Sequence, residues 1–511
     1  MRFHTTPVLS AFSVLLCVLL FLPSRGLALT ADEYLQRGNE KAKTSYAEAI
    51  PDYSQAIALN PRLAEAYYFR GIAYLSQNKF SAAKQDFTRA IALNPQYTEA
   101  YLNRGVANDK QKRFADALAD YSQAIQLDPN EALCYYYRGL AYNEDGQYST
   151  ALADFSHAII LDPHYAEAYD DRGNSYSSLG QSDKALADYT QAIALNPRFA
   201  SAYFNRGAEY EDLKRYCAAL ADYNKALALR PHDAQTFNNR GIVYADLRQN
   251  DRAFADYARA IALDPHYAGP YVNRGALYDD LKHYAAALAD YRKALAIDPK
   301  NYEAYVDRGN LYRNTHRYGK ALADYRKAMA LKPQAGDAYV ACGWLYAKQK
   351  RYRNALAAIN KAVALDPKNA DWYCERGSLY LEQQEYTSAL ADYRTALMLN
   401  PRSSLAWTNL GWCQYCLNQN AEAMASTGKA LALEGAPVCA RFNRGLLYAV
   451  QNDWAHAGHE YRLAVQTATG DETRDARKEI RKALKRHPGS HALRQALALL
   501  RHPAKQKVSN R

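Results

Sequence analysis

Apolar residues recur along the chain at intervals of three and four, which is the spacing of one face of an α-helix. In the stretch 268–299 this spacing predicts a first helix that runs to about Lys282 and a second helix from about Tyr284 to Ile297. The second helix ends before Pro299, because the residue before a proline is disfavoured in the helical conformation. No stretch shows the strict alternation of a strand. The chain is therefore predicted to be all-α and built from antiparallel helix pairs.

The helix pair repeats with a period of 34 residues, and such repeats indicate a solenoid. Prolines recur in steps of 34 from Pro61 to Pro401, and glycines do so from Gly71 to Gly445. Gly38 precedes Gly71 by 33 residues, so the first unit lacks one residue, which we assign to the turn between its helices. From Gly71 onward, alanines follow each glycine by twelve and by nineteen residues, and these small residues let the helix backbones approach closely.

This pattern resembles the tetratricopeptide repeat family. With Gly275 counted as residue eight of a unit, the aromatic residues at four, eleven and twenty-four, the alanines at twenty and twenty-seven and the proline at thirty-two all match. The resemblance spans thirteen units over residues 29–470 and implies a right-handed superhelical solenoid whose first helices line a concave face. Units twelve and thirteen depart from the pattern, since Thr427, Gly435 and Arg441 replace two aromatic residues and a proline.

An arginine stands before the glycine in eleven of the thirteen units, where the family has a leucine-like residue. An acid follows on the second helix, as in the pairs Arg206 and Asp222, Arg240 and Asp256, and Arg274 and Asp290. Cys342 and Leu410 replace the arginine in two units, and the acid is missing from both. Because removing one partner of a buried ion pair costs ~3–5 kcal/mol, we interpret the joint change as an ion pair between the two helices. The alternative is that the arginines contact a ligand in the groove.

The resemblance also implies that residues two, five, six, nine, twelve and thirteen of each first helix lie on or near the concave face. Residue six is polar in many units: Asn103, Asn205, Asn239, Asn273, Asn409, Asn443, Asp171 and Asp307. Amides donate and accept hydrogen bonds, so a ladder of them would bind an extended backbone; the alternative is that they bond to neighbouring helices. Acids such as Asp212, Asp246 and Asp280 predict an acidic groove that prefers a basic or neutral polypeptide, unless they form only a solvated face.

The net charge of +11 is concentrated at the C-terminal end, where residues 472–511 hold twelve Lys and Arg against three acids. Residues 471–502 are predicted to form two helices that cap the repeats, and residues 503–511 a basic, disordered tail. Leu484, Leu493, Leu497 and Leu500 would pack on the last unit. A cationic cluster is a candidate site for anionic lipid or polysaccharide, with capping alone as the alternative: Arg477, Lys478, Arg481, Lys482, Lys485 and Arg486.

The N-terminal residues 1–28 have the pattern of a secretory signal peptide. Arg2 precedes an apolar run from Val8 to Leu22, and small residues follow up to Ala28. The run is short for a membrane span, which needs ~20 apolar residues, although an uncleaved N-terminal anchor is the alternative. We therefore predict an exported protein, periplasmic or secreted, for which nucleic acid is not an expected partner.

Candidate catalytic and metal-binding chemistry is sparse. The histidines are scattered, and the chain has no helical His-Glu-x-x-His motif, no phosphate-binding glycine loop and no spaced Cys/His cluster for a metal. Cys413 and Cys416 have the spacing of a thioredoxin motif, but both are expected in the middle of a helix rather than at a helix N-terminus. We predict that the protein is not an enzyme and holds no cofactor.

Together these features predict a protein-interaction scaffold that docks an extended polypeptide or a partner surface on the concave face. Weak contacts repeated along the groove would add up to useful avidity. Two alternatives stay open: a periplasmic scaffold in envelope polysaccharide assembly or export, and a spacer with no groove ligand. A spacer would tolerate Asn239→Ala and Asn273→Ala without loss of function.

Overall fold

The computed structural model describes residues 29–501, which form helices and short turns without any strand. The described residues divide into two compact units, which meet between Asp264 and Pro265. The predicted fold class, an all-α solenoid of tandem antiparallel helix pairs, is confirmed in both units. The predicted signal segment 1–28 and basic tail 503–511 lie outside the described residues.

The first unit contains seven helix pairs. Its first helices are α1 (Ala31–Ala42), α3 (Ala64–Ser76), α5 (Thr98–Lys110), α7 (Ala132–Glu144), α9 (Ala166–Ser178), α11 (Ala200–Asp212) and α13 (Ala234–Asp246). Its second helices are α2 (Tyr46–Leu59), α4 (Phe80–Leu93), α6 (Phe114–Leu127), α8 (Tyr148–Leu161), α10 (Ser182–Leu195), α12 (Tyr216–Leu229) and α14 (Asn250–Leu263). The first helices pack on their own second helix and on the next first helix within the unit.

The second unit contains six further pairs and two additional helices. Its first helices are α15 (Ala268–Asp280), α17 (Tyr302–Asn314), α19 (Gly336–Lys348), α21 (Ala370–Glu382), α23 (Ser404–Cys416) and α25 (Val438–Val450). Its second helices are α16 (Tyr284–Ile297), α18 (Tyr318–Leu331), α20 (Tyr352–Leu365), α22 (Tyr386–Leu399), α24 (Asn420–Ala432) and α26 (Trp454–Thr467), and the chain continues into α27 (Gly470–Arg486) and α28 (His491–Arg501).

The repeated glycine makes room for the ring at residue twenty-four of the same unit. A Cβ atom on Gly105 would lie 2.5 Å from Cε1 of Tyr121, a distance that real Cβ atoms do not tolerate. Tyr121 is fully buried, and so are Ala117 and Ala124 beside it on α6. Glycine is therefore required by close packing between the two helices of a unit, not by its backbone freedom.

The turn between the two helices of a repeat explains the residue that the first repeat lacks. In the other twelve repeats one turn residue has a positive φ, such as Asn78 (59°) or Gly146 (76°). The first repeat has no positive φ at Lys43, Thr44 or Ser45, and its helix α1 has 12 residues where α3 has 13. The deletion thus falls at the turn, as the spacing predicted.

The last two helices cover the end of the repeats. Helix α27 begins at Gly470 with a capping box between Thr469 and Glu472, one residue before the predicted start of the cap. Helix α28 packs against both α26 and α25, whereas α27 packs against α25 and α28. Leu493 and Leu500 are fully buried there, with Leu484 and Leu497 partly buried around them. No helix within residues 29–501 has the length and apolar character that crossing a bilayer requires.

Candidate functional site

The predicted ion pairs are present and share one geometry. In Arg206, Nε and Nη2 donate to the two carboxylate oxygens of Asp222 at 2.7 and 2.8 Å. Arg274 bonds to Asp290 in the same bidentate way, at 2.8 Å for both bonds. Arg240 bonds to Asp256 at 2.7 Å for both bonds. The aspartate side chains are almost buried, while the arginine side chains keep 17–22% of their surface exposed. Each pair therefore joins the first helix of a unit to its second helix.

Each arginine in the middle of the first unit also bonds to the preceding second helix, which the sequence analysis missed. Nη1 of Arg206 donates to Oγ1 of Thr190 at 3.0 Å, and Nη1 of Arg240 donates to Oδ1 of Asn224 at 2.6 Å. The acceptors that share this place are Ser54, Thr88, Ser122, Ser156, Thr190 and Asn224. A polar residue two places after each acid was the signal that could have revealed this link between successive units.

The two 34-residue repeats that lack an ion pair have an apolar residue where the other repeats have the arginine. Cys342 and Leu410, which replace the arginines, are each only 4% exposed. Their glycines do not meet an aromatic ring, since Gly343 packs against Ile359 and a Cβ on Gly411 would meet the hydroxyl of Thr427. The ion pair and the buried ring are thus lost together.

Three of the polar residues at position six connect successive first helices. We define the A face as residues two, five, six, nine, twelve and thirteen of the first helices. On this face Nδ2 of Asn103 donates to the Tyr68 hydroxyl at 3.3 Å, and Nδ2 of Asn205 donates to both carboxylate oxygens of Asp170 at 3.1 Å. The Tyr136 hydroxyl donates to Asp171 at 2.8 Å. For Asn103, Asn205 and Asp171 the structure therefore has the neighbour-helix bonds that were the alternative to a free ladder.

Adjacent carboxylates lie on the A face of α9. Asp170, which the sequence analysis missed, is only 5% exposed, and burial together with the charge of Asp171 raises its pKa to about 8. Burial raises the pKa of Asp171 to about 6, although the Tyr136 hydroxyl lowers it in part. Glu167 on the same helix adds to both effects. This helix therefore holds more negative charge than its surroundings readily solvate.

Helices α11 and α13 extend the acidic character of the first unit. Glu211 accepts a 2.6 Å hydrogen bond from the Tyr223 hydroxyl, and burial raises its pKa to about 7. Burial also raises the pKa of the exposed Asp212. Asp246 is exposed at the end of α13, and Asn239 accepts from Nδ2 of Asn238 at 3.1 Å. These residues and those of α9 form what we call the acidic stretch of the A face, residues 167–246.

The A face of the second unit is mixed in character. Asn273 and Asp280 lie on α15, and burial raises the pKa of Asp307 on α17 to about 7. Burial also raises the pKa of Asp279, and the cationic Arg313 offsets that rise in part. Glu375 occupies position six of α21, where it accepts a 2.6 Å bond from Nε1 of Trp344, and the sequence analysis missed it.

Asn409 and Asn443 come together at the C-terminal end of the second unit. Both line a cavity of about 240 Å³ that lies between α23, α25 and α27. The other wall residues include Trp412, Phe442 and the acids of α27. Helix α27 thus covers part of the A face. The cationic cluster of α27 does not line this cavity. Lys478, Arg481, Lys482, Lys485 and Arg486 are exposed to solvent, and Arg477 is partly buried.

The cysteines show no sign of thiolate chemistry. Cys413 lies within α23, but Cys416 is the last residue of that helix, so its expected mid-helix position was wrong. Burial raises the pKa of Cys413 to about 12 and that of Cys416 to about 11, which disfavours the reactive thiolate. Among residues 29–501 the seven cysteines are free, and no cluster of His, Cys, Asp or Glu has the arrangement of a metal site.

Family profiles described as tetratricopeptide repeat or TPR repeat match most of the chain. The matched ranges are 31–78, 70–132, 121–153, 173–214, 207–248, 234–267, 269–301, 290–323, 343–384 and 374–438. No curated protein matches the chain.

Several solved structures are similar to this chain. The crystal structure of yeast Tom70 aligns at 18% identity over 79% of this chain and 92% of that chain, with a TM-score of 0.44. The APC/C hetero-tetramer Cut9–Hcn1 aligns at 14% identity over 93% and 97%, with a TM-score of 0.46. A crystal structure of MamA aligns at 27% identity over 32% and 96%, with a TM-score of 0.30.

Proposed function

The chain belongs to the tetratricopeptide repeat family, and on this premise we propose that it is a protein-interaction scaffold whose acidic stretch binds an extended, basic or neutral polypeptide. Repeats of this family generally act as non-catalytic scaffolds, and this agrees with a chain that consists almost wholly of helix pairs. The contacts along the A face are individually weak, and their repetition supplies the affinity.

The observation that carries the proposal is the pair of adjacent carboxylates on α9. Asp170 and Asp171 receive hydrogen bonds from the neutral donors Asn205, Tyr136 and Asn174, and the cation Arg230 lowers the pKa of Asp170 only in part. Burial leaves both pKa values raised. A cationic side chain of a ligand would stabilise the ionised forms, because an opposite charge nearby favours the charged state of a carboxyl group.

The amides of position six have a supporting role in this proposal. Because Asn103 and Asn205 already bond to the preceding first helix, they hold successive helices together and leave fewer groups for a ligand backbone. Ligand recognition then depends on charge more than on an amide ladder. This favours a basic polypeptide over a neutral one.

A direct test uses the double variant Asp170→Asn with Asp171→Asn. At each position one amide oxygen can still accept, from Asn205 and from Tyr136, so the variant removes both charges and keeps one hydrogen bond at each residue. We expect it to bind a twelve-residue peptide of alternating lysine and serine at least tenfold more weakly in calorimetry at pH 8. We also expect the variant to be more stable at that pH, because it no longer buries charged carboxylates.

The matched control is Asp183→Asn, which neutralises an exposed acid on the second helix α10. It should leave peptide affinity unchanged, and a glutamate–serine peptide should not bind the wild-type protein. Equal affinity of the double variant and the wild-type protein would overturn the proposed site. Absence of binding by any peptide would favour the spacer.

Export is part of the proposal and rests on residues 1–28 of the sequence. A signal peptide cleaved after Ala28 would leave a mature chain that starts just before α1. Intact-mass measurement of the protein purified from its host would give the mass of residues 29–511. The mass of the full chain would instead support an N-terminal anchor or no export.

A further inference from the structure

Tyr461 on α26 differs from its counterparts in the repeats. The ring is fully buried against Gly445, as in other units, but its hydroxyl has no hydrogen-bond partner within the described chain. An unpaired buried hydroxyl costs roughly 1–3 kcal/mol, so it calls for an explanation.

The equivalent tyrosines of three other repeats have the hydrogen-bond partner that Tyr461 lacks. The hydroxyls of Tyr53, Tyr189 and Tyr325 donate to the asparagine that follows the glycine of their unit, at 2.8–2.9 Å: Asn39, Asn174 and Asn310. In the last repeat Leu446 follows Gly445, and its side chain has no polar atom that could accept a hydrogen bond. The hydroxyl of Tyr461 therefore lacks the partner that an asparagine supplies in those three repeats, and within the described residues it is buried without another one.

The side chain of Tyr461 forms part of the wall of the cavity between α23, α25 and α27. The amides of Asn409 and Asn443 reach the same cavity, and Trp412 and Phe442 give it an apolar, aromatic surface. With a volume of about 240 Å³ it is smaller than a typical drug-sized site of ~300–1,000 Å³ and suits a single long side chain.

The charge of the wall is negative. Helix α27 contributes Glu472, Asp475 and Glu479 to the lining, and no cationic side chain lines the cavity. Glu472 accepts from Thr469 in the capping box, and Glu479 pairs with the exposed Lys482 at 2.8 Å. The remaining Asp475 is exposed between them and needs no rearrangement to meet a cation.

We propose that this cavity, which we call the cap pocket, binds a lysine or arginine side chain of a partner polypeptide. The aliphatic stem packs on Trp412 and Phe442, whose rings also attract a cation. The charged end donates to the Tyr461 hydroxyl and lies near the carboxylates of α27. The proposal rests on the proposed function in that a basic polypeptide is the ligand, but it adds a separate site in the second unit.

The test uses a probe too short to span several helices: Nα-acetyl-lysine amide, with Nα-acetyl-norleucine amide as the uncharged control. Saturation-transfer NMR on the full chain should give a signal from the lysine stem and at least tenfold weaker binding of the norleucine compound. Tyr461→Phe should weaken the lysine probe at least threefold without lowering thermal stability, because the lost hydroxyl has no partner to forfeit.

A second variant blocks the Tyr461 hydroxyl without removing it. Leu446→Asn supplies the partner that Tyr53, Tyr189 and Tyr325 have, so it should weaken the lysine probe, and it should lower thermal stability because Leu446 is buried. Equal binding of both probes would overturn the choice of a cation. Unchanged binding of the lysine probe to Tyr461→Phe and Leu446→Asn would overturn the pocket.

The two proposals fail separately in this design. Asp170→Asn with Asp171→Asn should leave binding of the short lysine probe unchanged, because those residues lie in the first unit. Tyr461→Phe should leave the larger part of long-peptide affinity intact. Loss of probe binding in the first-unit variant would show that the probe occupies the acidic stretch and not the cap pocket.

Discussion

The two units share a frame of ion pairs but differ in what lies around it. In the first unit every arginine from Arg70 to Arg240 bonds to a Ser, Thr or Asn of the preceding second helix. In the second unit Arg376 keeps this bond, to Asn360 at 2.8 Å. Arginines occupy the matching place on α16, α18 and α22: Arg292, Arg326 and Arg394.

This difference coincides with the two repeats that lack an ion pair. Cys342 and Leu410 are the residues that follow Arg326 and Arg394 in the next first helix. Arg326 is close enough to lower the pKa of Cys342, so an arginine at that position would face a like charge. Arg308 follows Arg292 and keeps its bidentate pair with Asp324, so the like charge does not by itself exclude an ion pair.

The A faces differ as well, and this is the difference that bears on function. The first unit has an acidic stretch, whereas the second has a mixed face whose end is covered by α27. A largely constant frame and a variable face suit a scaffold, since ligand contacts can change without loss of the fold.

The largest expected effect comes from breaking the frame. Arg274→Leu leaves Asp290 almost buried without a partner, and we expect a local loss of ~2–4 kcal/mol, between the values for buried and for surface pairs. Adding Asp290→Ala should recover about half of that loss. Native-state hydrogen exchange of the amides in α15 and α16 measures both, since a solenoid does not unfold as one unit. Additive losses in the two single variants would contradict the pairing.

The acidic stretch should make the first unit depend on pH. Asp170 and Asp171 have pKa values raised to about 8 and about 6 from 3.8, so the folded chain binds more protons than the unfolded chain between about pH 4 and pH 8. Stability therefore falls as the pH rises through that window.

Asp170→Asn with Asp171→Asn should flatten this dependence by at least ~1.4 kcal/mol, the equivalent of one pKa unit. Hydrogen exchange in α9 at pH 5 and pH 8, corrected for the intrinsic exchange rate, measures the change. A pH dependence that is identical in wild type and double variant would contradict the assigned burial.

Ligand binding should depend on pH in the opposite sense to stability. A basic peptide requires ionised carboxylates, so the lysine–serine peptide should bind about tenfold more tightly at pH 8 than at pH 5, a difference of ~1.4 kcal/mol. Calorimetry should also detect protons released on binding at pH 7, because the cation lowers the raised pKa values. Tighter binding at pH 5 would contradict the proposal.

The smallest expected effect concerns the bond between successive units. Thr190→Val removes the acceptor of Arg206 Nη1 and should cost ~0.5–1.5 kcal/mol in hydrogen exchange of α10 and α11. Arg292→Thr introduces the matching acceptor before Arg308 and should stabilise α16 and α17 by ~0.5 kcal/mol. Arg292→Ala is the control, since it removes the like charge without adding an acceptor. A gain as large in the control would assign the effect to charge alone.

Much of the fold could be predicted from the sequence because the same pattern of glycine, alanine, aromatic residue and proline recurs in nearly every repeat. The 34-residue spacing located the helices, and the joint loss of arginine and acid at Cys342 and Ala358 indicated their contact. Even the shortened turn before Ser45 was placed correctly, since a deletion is visible against an otherwise constant period.

The candidate site was harder to predict because it depends on contacts between units. Asn103 and Asn205 have the composition of a ligand-binding ladder, yet each bonds to the preceding first helix. Asp170 was not predicted as a site residue, because its burial depends on tertiary contacts that the sequence does not show. The cap pocket requires α27 to cross the A face, and no repeat spacing specifies where a helix outside the repeats will pack.

Photo-crosslinking in the native host, with the probe placed at Asn239 within the acidic stretch, tests the central claim most directly. The account predicts a discrete polypeptide adduct that disappears when Asp170→Asn and Asp171→Asn are introduced, while a probe at the exposed Met398 gives none. Adducts at a probe on Lys482 with none at Asn239 would contradict it, and the solenoid would then position its basic C-terminal end.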